Sequence, residues 1–292
     1  MPEYPDIAIY VERLSAIVVG QPLVAIAVRV PFLVRTFDPP LSEAQGKRVT
    51  GVERLGKRII LALEDELFLV LHLMIAGRLR WRRNGKKAGN TLAQFAFPDG
   101  VLFFTEAGTT RRASLHLVRG RAALAPFDRG GLELFEASEA AFRERLLSEN
   151  HTLKRALTDP RLFSGIGNAY SDEILHRARL SPLALTSKLT AEEVMRLRRA
   201  TLDTLAEWRD RFRKEVGDGF PEEVTAFRPE MAVHGKYQSP CPDCGAPVQR
   251  IRYATNETDY CARCQTGGRL LADRAMSRLL KSDWPRSIDD LE

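Results

Sequence analysis

Four cysteines occupy positions 241, 244, 261 and 264, as Cys-x2-Cys, sixteen intervening residues and a second Cys-x2-Cys, and the chain has no others. Thiolates at that spacing close around one tetrahedral Zn²⁺. Cys241, Cys244, Cys261 and Cys264 are therefore predicted to ligate a single zinc ion. Four thiolates leave no open position for water, so the ion is expected to be structural. Between the pairs, Val248 to Tyr253 and Thr258 to Tyr260 read as a hairpin. Its tip, Ala254-Thr255-Asn256-Glu257, is shaped to probe a groove.

A zinc module accounts for only one end of 292 residues, a length that suits two or three domains. Net charge is +6 and the sequence pI is near 9.3. Long-range attraction therefore favours a polyanion, DNA or RNA, or an anionic membrane surface. No run of 18 apolar residues occurs, and the first residues are Pro and acids rather than a basic stretch followed by an apolar one. No membrane association and a cytoplasmic location are expected, in keeping with cysteines gathered for a metal instead of disulfides.

Residues 5 to 19 predict a helix: Pro5 suits its first turn, Ile7, Tyr10, Val11, Leu14 and Ile17 form one stripe, and Gly20 suits its stop. From 22 to about 119 the pattern changes to short β-rich runs, among them Leu23 to Val30, Ile59 to Leu63, Leu67 to Leu73, Leu92 to Phe97 and Val101 to Thr105. Asp99-Gly100 marks a hairpin. Strands without intervening helices point to an antiparallel sandwich or barrel. Beyond Ala125-Pro126 and Gly130-Gly131 the spacing turns helical, over Phe142 to Ser148, Leu153 to Thr158, Asn168 to Ala178 and Ala191 to Val216, with Thr190 or Ser187 as caps. Residues 217 to 240 read as a long exposed connection. One more helix is predicted over 268 to 282.

Several segments carry chemistry only in combination. Arg78, Arg80 and Arg82 alternate with Leu79 and Trp81, so a strand would put the three cations on one face, either to track phosphates or to guard a solvated sheet edge. Lys57 reads equally as a strand-end lysine, and His72 as a core histidine. Gly165-Ile166-Gly167-Asn168 enters a helix, either as an ordinary turn or with N–H groups facing an anion. If Met1 is removed, Pro2 becomes a terminal secondary amine able to attack an aldehyde-level carbon, with Glu3 beside it to move the proton.

Met1-Pro2-Glu3-Tyr4-Pro5-Asp6, Lys57, His72-Leu73, Gly165-Ile166-Gly167-Asn168 and the four-cysteine finger together resemble the formamidopyrimidine-DNA glycosylase and endonuclease VIII family, in order, over residues 1 to about 266. The resemblance implies an α+β multidomain fold. Residues 1–126 would form an N-terminal catalytic antiparallel β-sandwich with flanking helices. Residues 127–234 would form a helix-two-turn-helix domain with its loop, 235–266 the zinc finger and 267–292 a helical extension. DNA would lie in the cleft between the two halves, and the protein would be a monomer.

The implied activity is removal of a damaged, expectedly oxidised, base from double-stranded DNA, and cleavage at abasic sites. Pro2 would attack C1′ of a flipped-out nucleotide, with Glu3, Lys57 and Asp6 as further catalytic residues. Lys57, His72, Met74, Ile75, Arg78, Arg111, Lys154, Asn168 and Asn256 would contact DNA. Glu173 would support structure. Three departures stand out. Asp6 replaces a Glu; Ile75, Arg111 and Ala113 stand where the family has Met, Arg and commonly Phe; and Asn256 stands where it has an Arg, leaving Arg250 or Arg252 to compensate. Two other readings stay open: a DNA-binding protein that has lost excision, and a lyase restricted to abasic sites.

Overall fold

A computed structural model describes residues 1–83, 88–108, 110–253, 256–272, 278–279 and 285–291. The chain divides into two compact units, 1–129 with 208–225, and 130–207 with 226–292. The 208–225 stretch thus packs with the N-terminal residues, whereas the sequence reading assigned it to the helical domain.

The first unit opens with helix α1, Tyr4–Val18. Glu3 caps it reciprocally: its carboxylate accepts from the backbone N–H of Asp6, and its own N–H donates to Asp6 Oδ2 at 2.8 Å. Ile7, Tyr10, Leu14 and Val18 form the buried stripe. Eight strands follow: β1 (Ala25–Val28), β2 (Val49–Leu55), β3 (Arg58–Leu63), β4 (Leu67–His72), β5 (Gly77–Arg82), β6 (Thr91–Phe97), β7 (Gly100–Glu106) and β8 (Ser114–Arg119). They pair antiparallel as two four-stranded sheets, ordered β1-β6-β7-β5 and β2-β3-β4-β8. Leu79, Phe95, Leu102 and Phe104 of the first sheet share a core with Ile59, Leu61, Leu69, Leu71, Leu115 and Leu117 of the second, and with the stripe of α1. The expected sandwich is therefore present.

Strand β5 alternates Leu79 and Trp81 inward with Arg78, Arg80 and Arg82 outward. Tyr10 hooks α1 to it, its hydroxyl accepting from Leu79 N at 3.3 Å and donating to Leu79 O at 3.4 Å. The outward arginines are neither a bare edge nor an unoccupied phosphate track. Glu222 receives both Nη atoms of Arg82, at 2.5 and 2.9 Å, and Nη1 of Arg80 at 3.4 Å. Arg78 donates to the carbonyls of Val224, Ile75 and Gly77. Arg13 Nε reaches Gly219 O at 2.7 Å, and Phe220 lies against Tyr10 with ring centroids 5.7 Å apart. Residues 218–225 carry no regular element, yet Val224 is buried in the sandwich core, which corrects the expectation of a wholly exposed connection. Charge-assisted bonds substitute for secondary structure there.

The second unit holds α2 (Glu139–Leu147), α3 (Leu153–Thr158), α4 (Asn168–Ala178) and α5 (Ala191–Val216), whose last turns count with the first unit, then β9 (Gln249–Tyr253), β10 (Asn256–Tyr260) and the short α6 (Ala262–Thr266). Thr190 and Glu193 cap α5 reciprocally. Helix α4 is buried on nearly every face, including Asp172, Glu173 and His176. Glu173 accepts from the backbone N–H groups of Ala232, Val233 and His234 at 2.8–2.9 Å, so one carboxylate shapes the segment that leads to the zinc module. Past the finger, Leu270 and Leu271 pack with Ile251, Tyr260 and Ile288. The chain is extended there, with Arg269 bridged to Ser287, rather than helical from 268 as expected. Leu279 is exposed, and Met276 and Leu280 lie outside the described residues.

Replacing Glu173 by Ala strands three N–H donors, two of them buried. We expect a loss of about 3 kcal/mol, seen as a lower urea midpoint with Glu173→Gln intermediate; an unchanged midpoint would contradict the anchoring role.

Candidate active site and zinc centre

In the first unit, the reciprocal cap of α1 fixes where the amino terminus sits. Pro2, Glu3 and Asp6 are all buried. Burial lowers the pKa of the terminal amine; the charge of Glu3 works against this, Arg78 lowers it further, Asp6 opposes, and Lys57 lowers it again. Four residues singled out from the sequence, Glu3, Asp6, Lys57 and Arg78, thus bear electrostatically on one amine. With Met1 in place that amine belongs to Met1, and Pro2 is bonded to it as an amide. Removing Met1 moves the amine one residue inward, onto a ring that is already buried.

Lys57 stands in the turn between β2 and β3. His72 ends β4 opposite Arg58 of β3 and Ser114 of β8. Burial, then Arg58, Lys57 and His116, push the His72 imidazole down to about 4, so it is neutral at physiological pH. His116 is lowered too, by burial and then by Arg58 and Arg35. Arg58, whose Nη1 donates to Phe127 O at 3.0 Å, and His116 belong to the same basic cluster, and sequence reading passed over both. The signal that could have found them is register: Arg58 lies beside Lys57, and His116 two residues from Ser114 on one strand face.

Residues 73–77 make a tight turn. Met74 has φ +53°, and a Cβ on Gly77 would stand 2.2 Å from Leu73 O, so this turn requires glycine there. The turn leaves Met74 half-buried and Ile75 57 % exposed, so Ile75 is the apolar group presented outward. Arg111 is exposed. Ala113, at the position of the family's aromatic, is 0 % exposed and belongs to the sandwich core. Glu106 holds this stretch by accepting from the N–H groups of Arg112 and Ala113 at 2.9 and 3.2 Å.

In the second unit, Asn168 is the first residue of α4, half-exposed, behind an N-cap Gly167 that offers no side chain. Lys154 is turned inward: its Nζ donates to Asn168 O at 2.7 Å and to Asp172 Oδ1 at 2.6 Å. Asp172 Oδ2 also meets His234 Nδ1 at 2.8 Å, within a buried group of Asp172, His234 and Asp259. On the hairpin, Asn256 pairs with Tyr253 in register, and its side chain lies outside the described residues. Arg250 is committed to Asp259 at 3.0 Å and Glu257 at 3.1 Å, whereas the Arg252 side chain is 67 % exposed with Glu257 at 3.2 Å. Of the two, Arg252 is placed to meet a solvent-side ligand.

The four sulfurs of Cys241, Cys244, Cys261 and Cys264 lie within 4.8 Å of one another, with Cys244 to Cys261 at 3.4 Å and Cys241 to Cys264 at 3.9 Å. A tetrahedron with Zn–S bonds of about 2.3 Å separates its sulfurs by roughly 3.8 Å. The set therefore fits one Zn²⁺. Cys264 N donates to Cys261 Sγ at 3.4 Å, and His176 Nε2 stands 3.2 Å from Cys241 Sγ, the kind of outer contact that orients a thiolate. Elemental analysis should give one zinc per chain, lost in Cys244→Ser; a metal-free, fully folded wild type would contradict the assignment.

Comparison with known proteins places these features. Residues 1–113 match the formamidopyrimidine-DNA glycosylase N-terminal domain, 132–208 the formamidopyrimidine-DNA glycosylase H2TH domain, and 238–267 a zinc finger found in FPG and IleRS. The chain is 35 % identical over 288 residues to the formamidopyrimidine-DNA glycosylase of Thermus thermophilus, covering 92 % of this chain and all of that one. The crystal structure of MutM (FPG) from Thermus thermophilus superposes with a TM-score of 0.75 at 33 % identity, covering 90 % of this chain and 98 % of that one. A complex of Lactococcus lactis Fpg with DNA containing an abasic site gives 0.79 at 26 % identity, covering 90 % and 99 %. Three domain matches in order, and a relative aligned over its whole length, leave one conclusion: the chain belongs to the formamidopyrimidine-DNA glycosylase family.

Proposed function

We propose that this protein is a DNA-repair glycosylase with abasic-site lyase activity, acting through the amine of Pro2 once Met1 is removed. The observation that carries the reading is the setting of the terminus: Pro2 is buried at a capped helix start, and the amine of Met1, one residue outward, already has its pKa lowered by burial under the charges of Glu3, Arg78, Asp6 and Lys57. An amine kept from protonating is a nucleophile at neutral pH. The substrate is double-stranded DNA carrying a damaged, oxidised base or an abasic site, in line with the abasic-site DNA bound by the Lactococcus lactis relative.

In the reaction, the lone pair of the Pro2 nitrogen forms a bond to C1′ as the glycosidic bond breaks; the base leaves with its electron pair and takes up the proton that the nitrogen gives up. The Glu3 carboxyl gives a proton to the ring oxygen, the sugar opens, and an iminium joins Pro2 to C1′. Loss of a proton from C2′ then expels the 3′ phosphate, which cuts the strand. Water releases the enzyme. Positioning belongs to other groups: Lys57 and Arg111 of the first unit and Asn168 of the second hold phosphates, and neutral His72, near Lys57, can donate or accept one hydrogen bond. Zinc shapes the hairpin that bears Arg252 and takes no part in bond making.

The enzyme acts as a monomer in the cytoplasm. The monomer follows the family resemblance, and the gathering of all four thiols at one metal suits a reducing compartment. Among the described residues no helix is long and apolar enough to cross a membrane.

Borohydride should trap the mature protein on abasic duplex DNA, and Pro2→Gly and Glu3→Gln should each reduce the trapped fraction by about 100-fold or more. Tight binding of the same duplex without any adduct would instead favour a scaffold that has lost excision, and abasic cleavage without release of any damaged base would favour a lyase. The trapping rate should fall as the amine protonates. Because Pro2 is buried, and burial already lowers the pKa of the Met1 amine next to it, the midpoint should lie below ~8, with full rate above it; a midpoint at or above ~8 would contradict the assigned environment.

A further inference from the structure

Phe37 has 87 % of its surface exposed, more than any other large apolar side chain among the described residues. It follows Phe32, also exposed, and Arg35 on the connection between β1 and β2. This connection is fastened. Val34 bridges Leu115 of β8 in parallel, Arg35 N donates to Leu115 O at 3.0 Å, and Thr36 Oγ1 accepts from Leu117 N at 2.9 Å. Those bonds hold residues 34–36, the stretch between Phe32 and Phe37, alongside β8, the strand that begins one residue after Ala113. Phe32, Arg35, Gly108 and Arg111 line one open groove, with the Arg35 guanidinium 5.9 Å from the centre of the Phe32 ring.

Exposed rings interleaved with guanidinium groups are poorly suited to water and well suited to a nucleobase: each base has a π-face, and cations beside the rings meet its edge or its phosphate. A peptide partner would match the rings but gain nothing from two cations in a chain of net charge +6. Ala113 is sealed in the core, and the 73–77 turn presents Ile75, an aliphatic side chain.

We infer that Phe37, with Phe32, Arg35 and Arg111, receives a nucleobase left unpaired in damaged DNA. The Phe37 ring stacks on the base and the two guanidinium groups hold its edge and the adjoining phosphate. The inference rests on the DNA-repair reading above. It adds a base-binding surface made by the β1–β2 connection, in a chain whose position 113 can supply none.

The test uses the full chain and two duplexes, one intact and one with a tetrahydrofuran abasic analogue facing a normal base. Phe37→Ala should weaken binding to the analogue duplex by about 5- to 150-fold, the range of one lost base stack, while binding to the intact duplex changes little. Phe37→Trp should restore binding, and its added fluorescence, measured against wild type, should be quenched by the analogue duplex and not by the intact one. The exposure of Phe37 lets both variants fold, which thermal melts would verify. If wild type prefers the analogue duplex and Phe37→Ala keeps that preference, or the new tryptophan does not respond, the inference is overturned while the repair reading stands. If wild type shows no preference, both fall.

Discussion

The reciprocal hydrogen bonds between Glu3 and Asp6 at the start of α1 are the constraint on which the reactive end of the molecule depends. A free terminus frays; this one is a helix N-cap whose donor and acceptor are both satisfied within the first turn. The Asp6 side chain is one methylene shorter than the glutamate its family places there, and it still reaches the Glu3 N–H at 2.8 Å. Because α1 is sealed by Ile7, Tyr10, Leu14 and Val18 in the sandwich core, the cap in turn fixes Pro2 relative to the sheets. Packing thereby sets chemistry: burial of the terminus lowers its amine pKa, and the same burial makes a charged intermediate there depend on nearby carboxylates.

A second theme is the use of paired charge, half-buried at Glu222 and buried at Glu173, to shape segments that lack regular structure. Glu222 and Val224 collect the outward arginines of β5, and Glu173 collects three successive N–H groups of 232–234. Each fixes the path of its segment, and removing one partner leaves the other uncompensated at a cost in stability. The stretch between 217 and 240 is irregular yet anchored within each unit by such contacts.

Much of this was legible in the chain. The helix over Asn168–Ala178 and the long helix over Ala191–Val216 emerge with the boundaries that their caps and spacing indicate, and the Asp99-Gly100 hairpin forms where turn chemistry demands. Strand β2 escaped notice because Gly51, Glu53 and Arg54 interrupt its alternation and a bulge separates Val49 from Gly51. The C-terminal segment misled because Leu270 and Leu271 have helical spacing relative to later leucines but are buried as an extended pair against Tyr260 and Ile288. At the site, the cysteines were fully readable from spacing. The inward turn of Lys154 onto Asp172, the contribution of Arg58 and His116, and the fastening of residues 34–36 along β8 depend on contacts between distant residues, which no local pattern encodes.

The central claim is that the reactive group is the amine of Pro2. Its most direct test is to trap the protein on abasic duplex DNA with borohydride, digest the adduct and locate the modified residue by mass spectrometry. The account predicts a deoxyribose remnant on an N-terminal peptide that begins at Pro2, with Met1 gone. A remnant on Lys57, or on any internal lysine with Met1 still in place, would contradict it.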